Sequence, residues 1–179
     1  MTLEEQQLVK GCIECERKAQ KALYDKYSRQ MMSVCLRYVK ETETARDLLQ
    51  DGFILVFSNI DKYKGDGALD AWVRRIFVNC ALEHLRKYDI LKESIDIEDD
   101  MVSGMVDEST VSRMTAAELM DCVGSLPEGY RTVFNLFAVE GYSHKEIGEM
   151  IGISENTSRS QYMRARQKLR EMISEKEIY

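Results

Sequence analysis

Apolar positions along this chain recur at threes and fours and almost never alternate, so the pattern predicts an all-α protein. From Arg17 to Lys40 the stripe is Leu23, Tyr27, Met31, Val34 and Tyr38, and the next segment repeats it with Ala45, Leu48, Leu49, Phe53, Val56 and Ile60. A glycine-bearing loop over 61–67 precedes a helix whose expected buried stripe is Leu69, Trp72, Val73, Ile76, Phe77 and Cys80. The opposite face of that helix carries Arg75, Asn79, Glu83 and Arg86. After about Tyr88 the periodicity decays into KESIDIEDDMVSGMVDEST, a run too charged to bury itself. Helical patterning resumes near Val111 and runs through Leu119, Met120 and Val123. Pro127 suits the first turn of a further helix with Val133, Phe134 and Phe137, which stops at Glu140-Gly141. The expectation is two small helical domains, 1–88 and 111–179, joined by an acidic linker over 89–110.

The 179 residues, 44% of them apolar, suffice for real cores. No stretch approaches the roughly 20 apolar residues of a membrane span, and MTLEEQQLVKG lacks the features of a signal peptide. A cytoplasmic protein without membrane insertion is expected. The formal charge of −6 argues against a nucleic-acid partner until its distribution is read. From Tyr88 to Asp121 ten acidic residues face only Lys92 and Arg113, a local charge of −8 that leaves the rest near +2. Five cysteines are an odd number, and Cys35 and Cys80 fall within apolar helical patterns, which predicts reduced thiols. Cys12 and Cys15 form a C-x-x-C, but the two histidines, His84 and His144, lie far along the chain, so no metal site is expected.

The segment with the clearest chemistry lies near the C-terminus. Ser143-His144-Lys145-Glu146 has the form of a capping box, Ile151-Gly152-Ile153 offers a tight turn, and Ser154 can cap the next helix. The spacing is that of a helix-turn-helix. On the second helix Ser158, Tyr162, Ala165 and Leu169 share one face, expected inside, and Asn156, Arg159, Ser160, Met163 and Gln167 share the other. Arginine can pair with guanine edges, asparagine with adenine, and methionine can touch a thymine methyl. Between Ser154 and Ile173 five bases outnumber two acids, where a merely solvated basic helix would need none of the cap, turn and sorted faces.

Taken together, the blocks resemble a bacterial sigma factor of the extracytoplasmic-function (ECF) group. KALYDKYSRQMMSVCLRYV, DLLQDGFILVFSNIDKY and GALDAWVRRIFVNCALEHLRK are similar to successive parts of that family's second conserved region. LPEGYRTVFNLFAVEGYSHKEIGEMIGISENTSRSQYMRARQKLR is similar to its fourth. The resemblance implies binding to the clamp helices and flap of core RNA polymerase, recognition of minus-ten and minus-35 promoter DNA, and control by an anti-sigma factor, often membrane-bound. It places the polymerase surface at Asp47, Gln50 and Asp51, with Leu48 and Phe53 either an apolar anchor there or simply core. Lys62, Tyr63, Lys64, Arg75 and Asn79 match the part that captures a flipped minus-ten base. The cations and aromatic ring of that loop suit an unstacked strand, and Trp72 reads as core. Arg159, Ser160, Met163 and Arg164 match minus-35 contacts beside Asn156 on the outer face, with Lys145 on phosphate. Ser158 and Gln161 depart from the family pattern, where an aliphatic residue and a base are common, and Glu83 stands where relatives often have an amide.

No catalytic constellation is present: there is no glycine-rich phosphate loop and no Ser/His/Asp set, and neither histidine has a partner evident in the sequence. No cofactor and no enzyme activity are expected. The rival readings are a helix-turn-helix activator, which would need a receiver domain that the pattern lacks, and a helical adaptor without DNA binding.

Overall fold

A computed structural model of the chain describes residues 2–87 and 115–176, without the side chains of residues 116, 117, 175 and 176. All regular structure among them is helical, and the chain divides into two compact units, Met1–His84 and Leu85–Tyr179. The acidic segment expected over 89–110 and the helical start expected at Val111 lie outside the described residues.

The first unit begins with α1 (Leu3–Ile13), whose amino end is closed by a reciprocal pair: the Glu5 amide donates to the Thr2 hydroxyl and the Thr2 amide to the Glu5 carboxylate. Only Val9 and Cys12 are apolar side chains buried by α1, too few to show as a stripe in the sequence. In α2 (Arg17–Tyr38) the expected stripe is buried throughout, with Cys35 added. A Cβ on Gly11 of α1 would sit 2.7 Å from the Ala19 Cβ, so the two helices cross in close contact. In α3 (Thr42–Asn59) Ala45, Leu48, Phe53 and Val56 are buried. The long α4 (Leu69–Lys87) departs from its expected stripe: Leu69, Val73 and Phe77 are buried, but Trp72, Ile76 and Cys80 are only half-buried. Val78, Ala81 and Leu82 are buried instead, because α4 is covered over a wider arc than one amphipathic face.

Aromatic rings join α2, α3 and α4. Phe53 contacts Tyr24 at 4.6 Å and meets Phe77 edge-on at 5.2 Å between centroids. The ring of Phe77 lies against the backbone of Gly52, where any Cβ would overlap it.

The second unit starts with α5 (Ala116–Ser125), closed by a second capping box between Thr115 and Glu118. Pro127 is the residue preceding α6 (Glu128–Phe134), one position earlier than the first helical turn expected for it. Arg131 is 1% exposed, and its guanidinium donates to the carbonyls of Gly124 (3.2 Å) and Leu126 (3.4 Å) and pairs with Glu128 at 3.6 Å. A buried charge is tolerated here because it satisfies the carbonyls left over at the end of α5. After α6 the chain widens into a π-helical turn over Asn135–Val139, in which the Glu140 amide reaches back five residues to Asn135. Then come α7 (His144–Ile151) and α8 (Glu155–Lys176). Cys122, Val123, Leu126 and Tyr130 close a core with Ala165, Leu169 and Ile173 of α8.

Candidate nucleic-acid interface

The turn between α7 and α8 is built as its residues dictate. The Ser143 hydroxyl accepts from the Glu146 amide, and the Glu146 carboxylate accepts from the Ser143 amide at 2.8 Å, which completes the capping box. Gly152 ends α7 at φ 76°, a left-handed conformation that suits glycine. Gly148 allows a close approach, since a Cβ there would lie 2.7 Å from the Ile153 carbonyl oxygen. The Ser154 hydroxyl then accepts from the Thr157 amide at 3.0 Å and starts α8.

The faces of α8 sort largely as expected. Ser158, Ala165 and Leu169 are buried and Tyr162 is half-buried, whereas Asn156, Arg159, Ser160 and Met163 are exposed, Met163 to 63%. Lys145 is exposed on α7, and Arg164 is half-buried. Gln161 differs from the sequence reading: it is 5% exposed and belongs to the inward side, so its departure from the family pattern alters the packing of α8 and not its outer face. The Arg159 guanidinium is paired with Glu155 one turn earlier.

His144 has the partner that the sequence concealed. Its Nδ1 shares a hydrogen bond of 3.0 Å with the Ser158 hydroxyl, and its ring stacks on Phe137 at 4.2 Å, nearly parallel. Burial lowers the imidazole pKa from its ordinary value of 6.5, the Arg159 cation acts in the same direction, and Glu155 opposes them.

In the first unit the loop over 61–67 and the start of α4 line an open cavity of about 370 Å³. Lys62, Lys64 and Arg75 bring three cations to its lining against the single carboxylate of Asp66, and Trp72 supplies the half-buried aromatic wall. Tyr63 does not stand free as a stacking surface. It is 9% exposed, donates its hydroxyl to the Gly67 carbonyl at 2.7 Å and packs on Trp72 at 5.5 Å, so it shapes the wall. Trp72, expected in the core, is the more exposed of the two rings that line the cavity. Lys62 also reaches Asn59 at 2.6 Å, while Asn79 is exposed one turn beyond Arg75 on α4.

On α3, Asp47, Gln50 and Asp51 are exposed along one face, but Leu48 (3%) and Phe53 (4%) are core. Their side chains point to the opposite side of the helix, and Phe53 is held by the Tyr24 and Phe77 rings. Two exposed apolar residues lie beside these polar ones: Ile54, four residues after Gln50 and 54% exposed, and Leu55, four residues after Asp51 and 43% exposed.

Cys35 is buried and its pKa is pushed up to about 12, while burial raises Cys80 to about 11, so both stay protonated. Among the described residues no cluster of three or more His, Cys, Asp or Glu could hold a metal, and no helix is long and apolar enough to cross a membrane.

A helical unit with a cationic, aromatic-walled cavity followed by a helix-turn-helix unit is the plan of a sigma-70-type initiation factor. The family models for Sigma-70 region 2 and Sigma-70 region 4 match residues 23–89 and 116–169, in that order. The chain is 30% identical to the ECF RNA polymerase sigma-E factor of Escherichia coli over 92% of both chains. It is 28% identical to that of Haemophilus influenzae over 96% of both, and 25% identical to SigM of Bacillus subtilis over 83% of this chain and 91% of that one. Its fold is that of the sigma factor RpoE of Bartonella quintana, solved with the anti-sigma factor NepR (TM-score 0.53, 19% identity, 86% of this chain and 96% of that one). It is likewise that of CnrH, solved with the cytosolic domain of CnrY (0.51, 20%, 93% and 95%). The chain belongs to the extracytoplasmic-function sigma factors of bacterial RNA polymerase.

Proposed function

We propose that the two units divide promoter recognition between them, as residues 1–88 and 111–179 on either side of a tether over 89–110. The observation that carries this reading is the pairing of one concave, cation-lined cavity with one exposed, basic helix face in a single chain. The cavity takes an unstacked base of the minus-ten element: Trp72 offers a ring face, Tyr63 and Gly67 hold the loop open, and Lys62, Lys64 and Arg75 meet the strand's phosphates. Stacking on one aromatic face is worth about 1–3 kcal/mol per base, comparable to the few kcal/mol that unstacking costs. Trapping bases in this way opens the duplex without a catalytic step by the protein itself. Asn79 contacts a neighbouring base from the same face of α4.

In the second unit Asn156, Arg159, Ser160, Met163 and Arg164 read the minus-35 major groove, and Lys145 holds a phosphate. On α3, Asp47, Gln50 and Asp51 dock on the polymerase clamp helices around Ile54, which takes the anchoring role first considered for Leu48 and Phe53. Binding core polymerase places the protein in the cytoplasm. The neighbour from Bartonella quintana, solved with the anti-sigma factor NepR, supports control of this chain by an anti-sigma factor. Run-off transcription from fragmented genomic DNA tests the whole reading. Core polymerase supplemented with the protein should start at defined promoters that core alone ignores, and failure to do so across the library would count decisively against it.

A further inference from the structure

His144 is buried and has no role in the reading proposed above, and Ser158 lies on the buried face of α8. Yet the two form a buried polar contact that joins the first helix of the helix-turn-helix to the second across fourteen residues of chain. We propose that His144 is a positioning residue for minus-35 reading: wedged between Phe137 and Ser158, it fixes the rotation and depth at which α8 presents Arg159 and Ser160 to the groove. This rests on the assignment of α8 as the reading helix.

The geometry supports a clamp. Ser158 is fully buried and immediately precedes Arg159, so a small rotation of α8 about Ser158 moves Arg159 directly. The imidazole is caught by three side chains from two elements: Phe137 of the π-helical turn stacks at 4.2 Å, and from α8 Ser158 hydrogen-bonds at 3.0 Å and Tyr162 lies tilted at 5.8 Å. Phe137 also contacts Tyr162 at 4.6 Å, which closes the ring set. An aliphatic residue at 158 would leave the buried Nδ1 without a partner. Ser158 and His144 therefore work as a matched pair, and the departure from the family pattern at 158 has a compensating group at 144.

The site favours the neutral ring: an imidazolium Nδ1 could still donate to the Ser158 hydroxyl, but burying its charge works against the packing that holds it. The charged groups that act on it are Arg159 and Glu155, both from α8, and Arg166 lies above the Tyr162 ring at 5.9 Å. Because the folded pKa is lowered below 6.5, the clamp is fully formed above that pH and is lost as pH falls through the folded value.

The test uses the full chain assembled with core polymerase and a pool of duplex promoters randomised over the minus-35 segment. The readout is the ratio of binding to the preferred sequence over single mismatches, measured at several pH values. Partial unfolding lowers binding to every duplex alike and cancels in this ratio, whereas mispositioning of Arg159 does not. Ser158→Ala, which removes one buried hydroxyl, should lower the ratio about fivefold, the effect of one lost hydrogen bond, and His144→Phe should match it. Wild-type selectivity should hold from about pH 8 down to about pH 6.5 and fall only at lower pH, and that of His144→Phe should stay flat. Should His144→Phe fail to fold, Ser158→Ala and the wild-type pH profile decide the matter. Unchanged ratios in the variants together with a flat wild-type profile would overturn the clamp. If Arg159→Ala also leaves the preference intact, the assignment of α8 as the reading helix fails instead.

Discussion

The cavity beside Trp72 is walled by groups that the fold itself holds in place, whereas the outer face of α8 carries its chemistry on side chains standing in solvent. Tyr63 is nearly buried and bonded to Gly67, and Trp72 is pinned against it. Arg159 and Met163 touch little, and Arg159 is held only by an exposed ion pair with Glu155. Each construction suits the substrate proposed for it. An extruded base must find a preformed concave wall, because organising the wall during capture would add to the cost of unstacking. A duplex presents its groove already formed, so a convex helix with adaptable side chains is sufficient.

The sharpest way to break the first half of that comparison is to disturb what holds the wall. Gly52→Ala places a Cβ inside the Phe77 ring, and the α3–α4 contact must shift to admit it. Overpacking of this kind costs about 1–3 kcal/mol. Thermal unfolding should show the first unit melting at lower temperature with the second unchanged, and both polymerase binding and minus-ten capture should decline together. A melting curve identical to that of the parent chain would show that the close approach is not needed.

Next in size is Trp72→Ala, which leaves the core of the unit intact but removes the stacking face of the cavity. Loss of about 1–3 kcal/mol per stacked base predicts a tenfold to hundredfold drop in open promoter complexes. Permanganate reactivity of minus-ten thymines reads this directly, while affinity for a minus-35 duplex should not change. A loss confined to the duplex would reverse the assignment of the two units.

The same contrast explains what could be read from the sequence. The outer face of α8 was largely legible because most exposed and buried positions separate at helical spacing: Ser158, Ala165 and Leu169 do turn inward, although Gln167, expected outside, is half-buried. The capping boxes were legible because they are local. Concave and buried polar features were not. Tyr63 and Trp72 exchange their expected places because which of two neighbouring rings faces a cavity depends on the path of the loop, and Leu48 and Phe53 go to the core because α2 and α4 close over them. Gln161, Arg131 and the His144–Ser158 bond all depend on neighbours distant in sequence or on burial that polarity does not suggest. A polar residue replacing an aliphatic one at 158, with a histidine at a helix start, was the available signal for that bond.

On the convex side, Arg159→Ala tests whether one exposed side chain carries sequence information. A bidentate contact to a base is worth about 1–3 kcal/mol of discrimination, so selectivity should relax at a single minus-35 position. The measurement is a mismatch series across that element. A uniform loss at all positions would move Arg159 from base reading to phosphate binding, alongside Lys145.

The smallest expected effect concerns what Arg159 must release before it reads DNA. Its guanidinium is tied to Glu155, both side chains are substantially exposed, and such pairs contribute at most about 1 kcal/mol. Glu155→Gln removes the pair and a carboxylate that would stand near phosphate, so minus-35 affinity should rise by no more than about fivefold. The change should be largest at low salt, because screening already weakens the pair in stronger electrolyte. In the preformed cavity no comparable gain is available, since the Tyr63 hydroxyl that holds the loop gives up its bond to Gly67 only by opening the wall. A larger gain from Glu155→Gln, or one independent of salt, would show that the ion pair stores the reading helix in an inactive arrangement. The outer face of α8 would then be as preformed, and as restrained, as the cavity beside Trp72.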